Sequence, residues 1–322
     1  MTAVGPPPCA TSILPDAMPF SVGVDVGVSC HLRRYGARAF LAGIAAVNFL
    51  QLYLLCRARR GTIQNKHFQS FSMLTSTQLH QFKLNGYLVL PALADAAYCD
   101  AVIAFARQAL LADAAPIEYE ADTSYPGAPA SREAEGGRTA RRLLQAVARS
   151  PLLADWAKGE RLSQALHQLL GEGVRLSQVH HNCIMTKQPR FSSITGWHRD
   201  SRYWQFQRAE LVSAWLALRN ETPENGCLLV LPGSHLWSIA SEQLDAAQFL
   251  RADLPQNQGL LAQALAVPLQ QGDVLLFHSN LFHAAGRNQT AQTKFSMVFT
   301  YRAADNLPLP NSRSASVVEI VI

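Results

Sequence analysis

Apolar residues are spaced as on helices from Leu74 to about Gly171, and fall into short strand-like runs after Gly173. In LTSTQLHQFKLNGYLVLP, residues 74–91, Thr75 or Ser76 can cap a helix that runs through Leu79, Phe82 and Leu84 and stops at Asn85-Gly86. Tyr87 to Leu90 then reads as a short strand. Helical spacing returns at 95–112, 141–150 and 161–170, the last stopped by Gly171 and Gly173. The stretch 118–139, EYEADTSYPGAPASREAEGGRT, is dense in Pro, Gly, Ser and charge, and a connection of that length is expected to be a functional lid or disordered. Strand-like runs follow at 174–179, 183–185, 211–218, 227–231, 267–269, 274–277 and 294–301, parted by Gly, Pro and Asn turns. Helices first and many short strands later predict one α+β domain, mainly β, whose antiparallel sandwich or barrel is buttressed by N-terminal helices.

The first 73 residues stand apart as an N-terminal extension. Residues 39–56, AFLAGIAAVNFLQLYLLC, form an apolar run broken only by Asn48 and Gln51, at the lower limit of length for a membrane span. Three arginines flank it on each side, which gives no orientation. RARRG follows where a secretory leader would need small residues for cleavage. The run reads as a membrane anchor, as a helix packed on the body, or as part of an extension outside the working protein. Met73 opens the domain proper, 74–322.

The chain has 322 residues, 48% of them hydrophobic, enough for a large soluble core. Its net charge of +5 sits entirely in the extension, where seven Lys/Arg face two acids. The remaining 21 bases and 21 acids cancel, so the body gives no reason to expect a nucleic-acid partner. Six scattered cysteines without a CxxC fit reduced thiols in a cytoplasmic protein. The oligomeric state leaves no trace in the sequence.

The candidate chemistry lies in GWHRDSRYW, residues 196–204. On a strand, His198 and Asp200 project to one side and can share an ion, and two imidazoles with one carboxylate suit ferrous iron. FHSNLFHAAGRN, residues 277–288, offers His278 and His283 as a third ligand near the end of a core strand. His180-His181 reads as strand residues facing opposite sides. By spacing alone a metal site and a polar turn both stay open.

Six segments, in this order, resemble the phytanoyl-CoA dioxygenase family of iron(II)- and 2-oxoglutarate-dependent oxygenases: FKLNGYLVLP, IMTKQP, WHRD, VSAWLAL, NGCLLVLPGSH and FHSNLFHAAGRNQT, spread between about Leu74 and Arg302. The resemblance implies a double-stranded β-helix, a cupin-like jelly roll. It implies Fe2+ held by His198, Asp200 and His283, with 2-oxoglutarate and O2 as cosubstrates, and hydroxylation of a small-molecule C–H bond with release of succinate and CO2. His278 matches a neighbouring position with a supporting role. Related halogenases lack the carboxylate, so Asp200 implies hydroxylation.

The same resemblance places Lys294, eleven positions beyond the last ligand, at the distal carboxylate of 2-oxoglutarate, where the family usually has arginine. Lysine keeps the charge and gives up the two-pronged geometry. Arg287 is the rival anchor. Lys187 and Trp215 match pocket positions, although by themselves they read as a solvated strand-end lysine and a core tryptophan. Arg199, Arg202, Tyr203 and Trp204, with Arg141-Arg142 after the long connection, are candidates to receive an anionic or partly aromatic substrate. The competing expectations are a catalytically silent jelly-roll binding module and a membrane-tethered protein whose 39–56 run is its main element.

Overall fold

The computed structural model describes residues 74–322, so the extension and the 39–56 run lie outside the described residues. The described chain opens with helix α1 (Ser76–Asn85), and Thr75 is its cap. The Thr75 hydroxyl accepts from the Gln78 amide while the Gln78 side chain accepts from the Thr75 amide. Gly86 ends the helix with φ 78°, a left-handed turn that glycine adopts without strain, and strand β1 (Tyr87–Leu90) follows. Asp95 caps α2 (Ala96–Leu111). Then come β2 (Ile117–Tyr119), β3 (Ala140–Leu144), α3 (Ala146–Arg149), α4 (Pro151–Ala157) and α5 (Glu160–Leu170).

Residues 141–150, expected as one helix, divide into β3 and the four-residue α3. Pairing of Arg142–Leu144 with Met185–Cys183 of β4 (Arg175–Lys187) overrides the helical spacing. The 118–139 connection is folded rather than disordered, and Tyr119 near its start is buried. Its start is β2, and Glu120 beyond it is fully buried.

The rest of the chain is β5 (Thr195–His198), β6 (Leu211–Ala217), β7 (Leu228–Val230), α6 (Pro255–Leu261), β8 (Leu265–Val267), β9 (Val274–His278), β10 (His283–Ala285), β11 (Lys294–Arg302) and β12 (Ile320–Val321). Among the described residues an eight-stranded sheet runs β1-β9-β6-β11-β4-β3-β2, with β12 beside β4, and a four-stranded sheet runs β5-β10-β7-β8. Their pairings are antiparallel.

The two faces of the large sheet are sorted by the alternation of its strands. Val212, Ala214 and Leu216 of β6, with Met297, Phe299 and Tyr301 of β11, join the cluster that includes Val102, Ile103, Leu153 and Leu166 of α2, α4 and α5. Trp215, Val298, Leu275 and Phe277 face the other way and meet Leu228, Val230 and Ala285 of the small sheet. The helices therefore back one face, and the site lies between the sheets on the other.

Strand β4 is one element where two were expected, and its ladder is interrupted. Phe299 of β11 pairs with Asn182 and the next residue, Thr300, pairs with Ser177, which leaves 178–181 looped out. On its other side β4 meets β12 only at Arg175 and Leu176, and β3 only at 183–185, so these four residues lack a ladder partner there too.

Candidate metal centre

His198 ends β5, and Asp200 begins a short 3-10 turn, Asp200–Tyr203, so the HxD pair straddles a strand end rather than lying along a strand. His283 opens β10 directly opposite His198 in the antiparallel pair. The two rings stand 4.2 Å apart, centroid to centroid. Each Nδ1 faces a backbone carbonyl of its own segment, His198 that of Gly196 at 2.8 Å and His283 that of Leu281 at 3.0 Å. A carbonyl only accepts, so each Nδ1 carries the proton and each Nε2 presents a lone pair.

Both Nε2 atoms lie 3.7 Å from Asp200 Oδ1, and one ligand atom from each of the three residues lies within 4.8 Å of the others. Burial first, and then the neighbouring His283, hold the His198 imidazole well below its usual range, which keeps it neutral. Asp200 Oδ2 is buried without a hydrogen-bond partner. An orphaned carboxylate oxygen beside two imidazole lone pairs is an uncompensated arrangement that a divalent cation completes, so the donor set fits the iron expected here.

Two cavities share this centre. The narrower one is lined by His198, His283, Lys187, Trp215, Lys294 and Arg141. Lys294 at the start of β11 is held by Glu221, Nζ to Oε2 2.9 Å, and lies 5.2 Å over the Trp215 ring, whose Nε1 donates to Glu221 Oε1 at 2.9 Å. Lys187 ends β4 directly across from Lys294, and its Nζ donates to the Ser193 carbonyl at 2.9 Å. Burial, reinforced by Arg141 and Lys294, pushes Lys187 down to about 7. Gly226 makes room for it: with φ 77°, a Cβ there would stand 2.6 Å from the Gly286 carbonyl oxygen and 3.0 Å from Lys187 Cδ.

The wider cavity, about 530 Å³, opens on the other side of Asp200 and includes His181, Arg142, Arg202, Tyr203 and Trp204 in its walls. The looped-out residues of β4 form one wall. His180 packs tilted against Trp204 at 4.9 Å, and His181 stands edge-on to the same ring at 5.4 Å. His181 Nδ1 lies 3.4 Å from Asp200 Oδ2, and burial pushes this imidazole down to about 4. Arg202 is sandwiched between Phe249 and Tyr203, 3.9 and 4.4 Å from their ring centroids, and Arg202 Nη1 donates to the Ala247 carbonyl.

Several expected residues are placed elsewhere. Arg199 lines neither cavity; it lies over the Phe282 ring and donates to the Ser234 and Trp237 carbonyls. Arg141 lines the narrow cavity rather than the wide one, bonded to Ser193 and Thr195 beside Glu118 and Glu120. Arg287 is exposed, with its guanidinium over Gly127. His278 packs against His235 at 5.1 Å in a separate surface pocket. Sequence reasoning did not single out Glu221, which sits in a stretch that reads only as a turn, nor His181 as a neighbour of Asp200. Only the side-by-side histidines at 180–181 hinted at the second.

The phytanoyl-CoA dioxygenase (PhyH) family profile matches residues 82–296. Ectoine dioxygenase of Sphingopyxis alaskensis is 27% identical over 270 residues, covering 78% of this chain and 83% of that protein. The human peroxisomal phytanoyl-CoA dioxygenase is 26% identical over 142 residues, 39% of each chain. Among solved structures, EctD from S. alaskensis in its apo form superposes with a TM-score of 0.59 at 26% identity, over 76% of this chain and 82% of that one. The epimerase SnoN of nogalamycin biosynthesis superposes at 0.58 with 21% identity, over 73% and 85%, a likeness of fold. The two-sheet fold, the His-Asp-His cluster between its strands and a profile matched over two thirds of the sequence agree, and the chain belongs to the phytanoyl-CoA dioxygenase family.

Proposed function

We infer that the chain is an iron(II)- and 2-oxoglutarate-dependent dioxygenase that hydroxylates a small organic molecule, with His198, Asp200 and His283 as the iron ligands. The observation that carries this reading is the convergence of three ligand atoms within 4.8 Å, with both imidazoles fixed in the tautomer a metal requires. Bound there, ferrous iron with 2-oxoglutarate and O2 supplies oxidation of a C–H bond, with succinate and CO2 released.

The protein's own residues divide the remaining work. Cross-strand pairing holds His198 and His283 opposite each other, and their carbonyl partners stop the rings from turning. The narrow cavity, with buried lysines on two paired strands, suits the cosubstrate. The wide cavity suits the substrate: its volume lies within the roughly 300–1,000 Å³ of small-molecule sites. Its aromatic wall, Trp204 against His180 and His181, keeps apolar surface beside the reacting position and limits the entry of water. Relatives with names such as ectoine dioxygenase and phytanoyl-CoA dioxygenase make an organic substrate the natural expectation. A complete ligand set argues against a silent binding module, and among the described residues no helix is long and apolar enough to cross a membrane.

The test is direct. Adding 2-oxoglutarate to the ferrous protein without oxygen is expected to produce a weak visible absorption band, and admitting oxygen is expected to start slow succinate release even without substrate. Bound iron with neither signal would return the protein to the class of silent jelly rolls.

A further inference from the structure

The narrow cavity has a charge balance that its metal ligands do not explain. Four cationic side chains line it: Arg141, Arg142, Lys187 and Lys294. Three carboxylates answer them. Glu118 lies 3.4 Å from both arginines, Glu120 lies 3.4 Å from Arg141, and Glu221 lies 2.9 Å from Lys294. Asp200 belongs to the metal side, so one positive charge is left over. Lys187 carries it: its ammonium has the Ser193 carbonyl and, among the described residues, no ion-pair partner.

Glu221 decides that the surplus falls on Lys187. It is fully buried, its Oε2 accepts from Lys294, and its Oε1 accepts from the Trp215 indole and the Ser296 hydroxyl. It does not line the cavity itself, and acts on it through the lysine. We propose that Glu221 is a positioning residue that holds Lys294 as a neutral pair and so sets the cavity's net charge at one, leaving the distal carboxylate of 2-oxoglutarate to be drawn by Lys187. This rests on the cosubstrate reading of the cavity given above.

The charges facing Lys187 set the sign of its pH dependence. Arg141 of β3 and Lys294 of β11 oppose its protonation, whereas Glu120 and Glu221 favour it less strongly than burial disfavours it. As pH rises through about 7 the empty cavity loses its surplus charge, so cosubstrate affinity falls. In Lys187→Met that pH dependence disappears.

Glu221→Gln keeps an acceptor for Trp215 and Ser296, removes the negative charge and leaves Lys294 cationic toward the cavity. At about pH 6, below the value at which Lys187 titrates, calorimetry of the protein loaded with Mn2+ in place of iron is then expected to show 2-oxoglutarate bound about tenfold tighter than by wild type, and about tenfold weaker by Lys187→Met, as a nearby unscreened charge dictates. A monocarboxylate such as 2-oxobutyrate, without the distal group, is expected to respond to neither substitution. Glu221→Gln that still folds cooperatively and binds 2-oxoglutarate as wild type does, or more weakly, overturns the proposal. If that variant fails to fold, unchanged affinity in Lys187→Met overturns it instead. A wild-type protein that binds no 2-oxoglutarate removes the cosubstrate reading itself, whereas wild-type binding indifferent to both substitutions leaves that reading and removes the roles given to Glu221 and Lys187.

Discussion

Asp200→Ala is expected to abolish succinate release and to cancel the rise in melting temperature that Fe2+ or Mn2+ gives the wild-type protein, while leaving the metal-free protein at least as stable. The two halves of that expectation come from the two oxygens of one side chain. Oδ1 lies 3.7 Å from both imidazole Nε2 atoms and completes the ligand set. Loss of a group that merely supports a metal ligand costs about 10- to 100-fold in affinity, and losing the ligand itself is expected to exceed that range. A metal at a hundred times its dissociation constant adds about 2.7 kcal/mol to stability, so its absence is easily read in a melting curve. Oδ2 is buried without a hydrogen-bond partner, so truncating the side chain breaks no hydrogen bond of that oxygen and relieves its desolvation. Metal-dependent stabilisation of the wild-type size in Asp200→Ala would refute the assignment, and so would retained turnover.

Lys294→Met is expected to lower the stability of the protein by about 3 kcal/mol, the scale for breaking one side of a buried ion pair. The methionine fills similar volume, so the loss is electrostatic. Glu221 would keep the Trp215 and Ser296 donors and lose the only cation within ion-pair distance among the described residues. Combining the change with Glu221→Gln removes the stranded charge, and the double variant is expected to recover more than half of the loss in urea denaturation. Equal stability of the single and double variants would mean that the pair contributes through packing, and the charge account of this wall would fall with it.

Much of this architecture can be read from the sequence where local signals agree with the fold. Thr75 with Gln78 marks the start of α1, Gly86 its end, and the strands 211–217, 274–278 and 294–302 differ from their expected limits by a residue or two. Where local and tertiary preferences conflict, the tertiary one prevails. Arg141, Leu144 and Val147 are spaced as on a helix, yet the edge of β4 offered hydrogen-bond partners to 142–144 and drew them into the sheet. Strands β2, β5 and β10 are each four residues or fewer, too short to display a period.

The candidate site follows the same division. The residue types of the ligand set were legible, and their meeting depends on His198 and His283 pairing across strands 85 positions apart in sequence. The role of Glu221 was not legible, because Asn-Glu-Thr-Pro-Glu-Asn-Gly at 220–226 carries every mark of an exposed turn, and the lysine it neutralises is 73 residues away. Arginines 199, 202 and 287 look alike in sequence and differ in what their heads touch: main-chain carbonyls around Phe282, two aromatic faces, and the surface beside Gly127.

The looped-out residues 178–181 separate two kinds of constraint. Ser177 and Asn182 pair with consecutive residues of β11, so the frame closes over the gap as though the four between them were an insertion. Exchanging side chains in that stretch rewrites the wall beside Trp204 without replacing any residue paired with β11. In evolutionary terms it is a place where new chemistry can be tried at little risk to folding, and in the laboratory it is the segment to randomise first when a different molecule is to be oxidised.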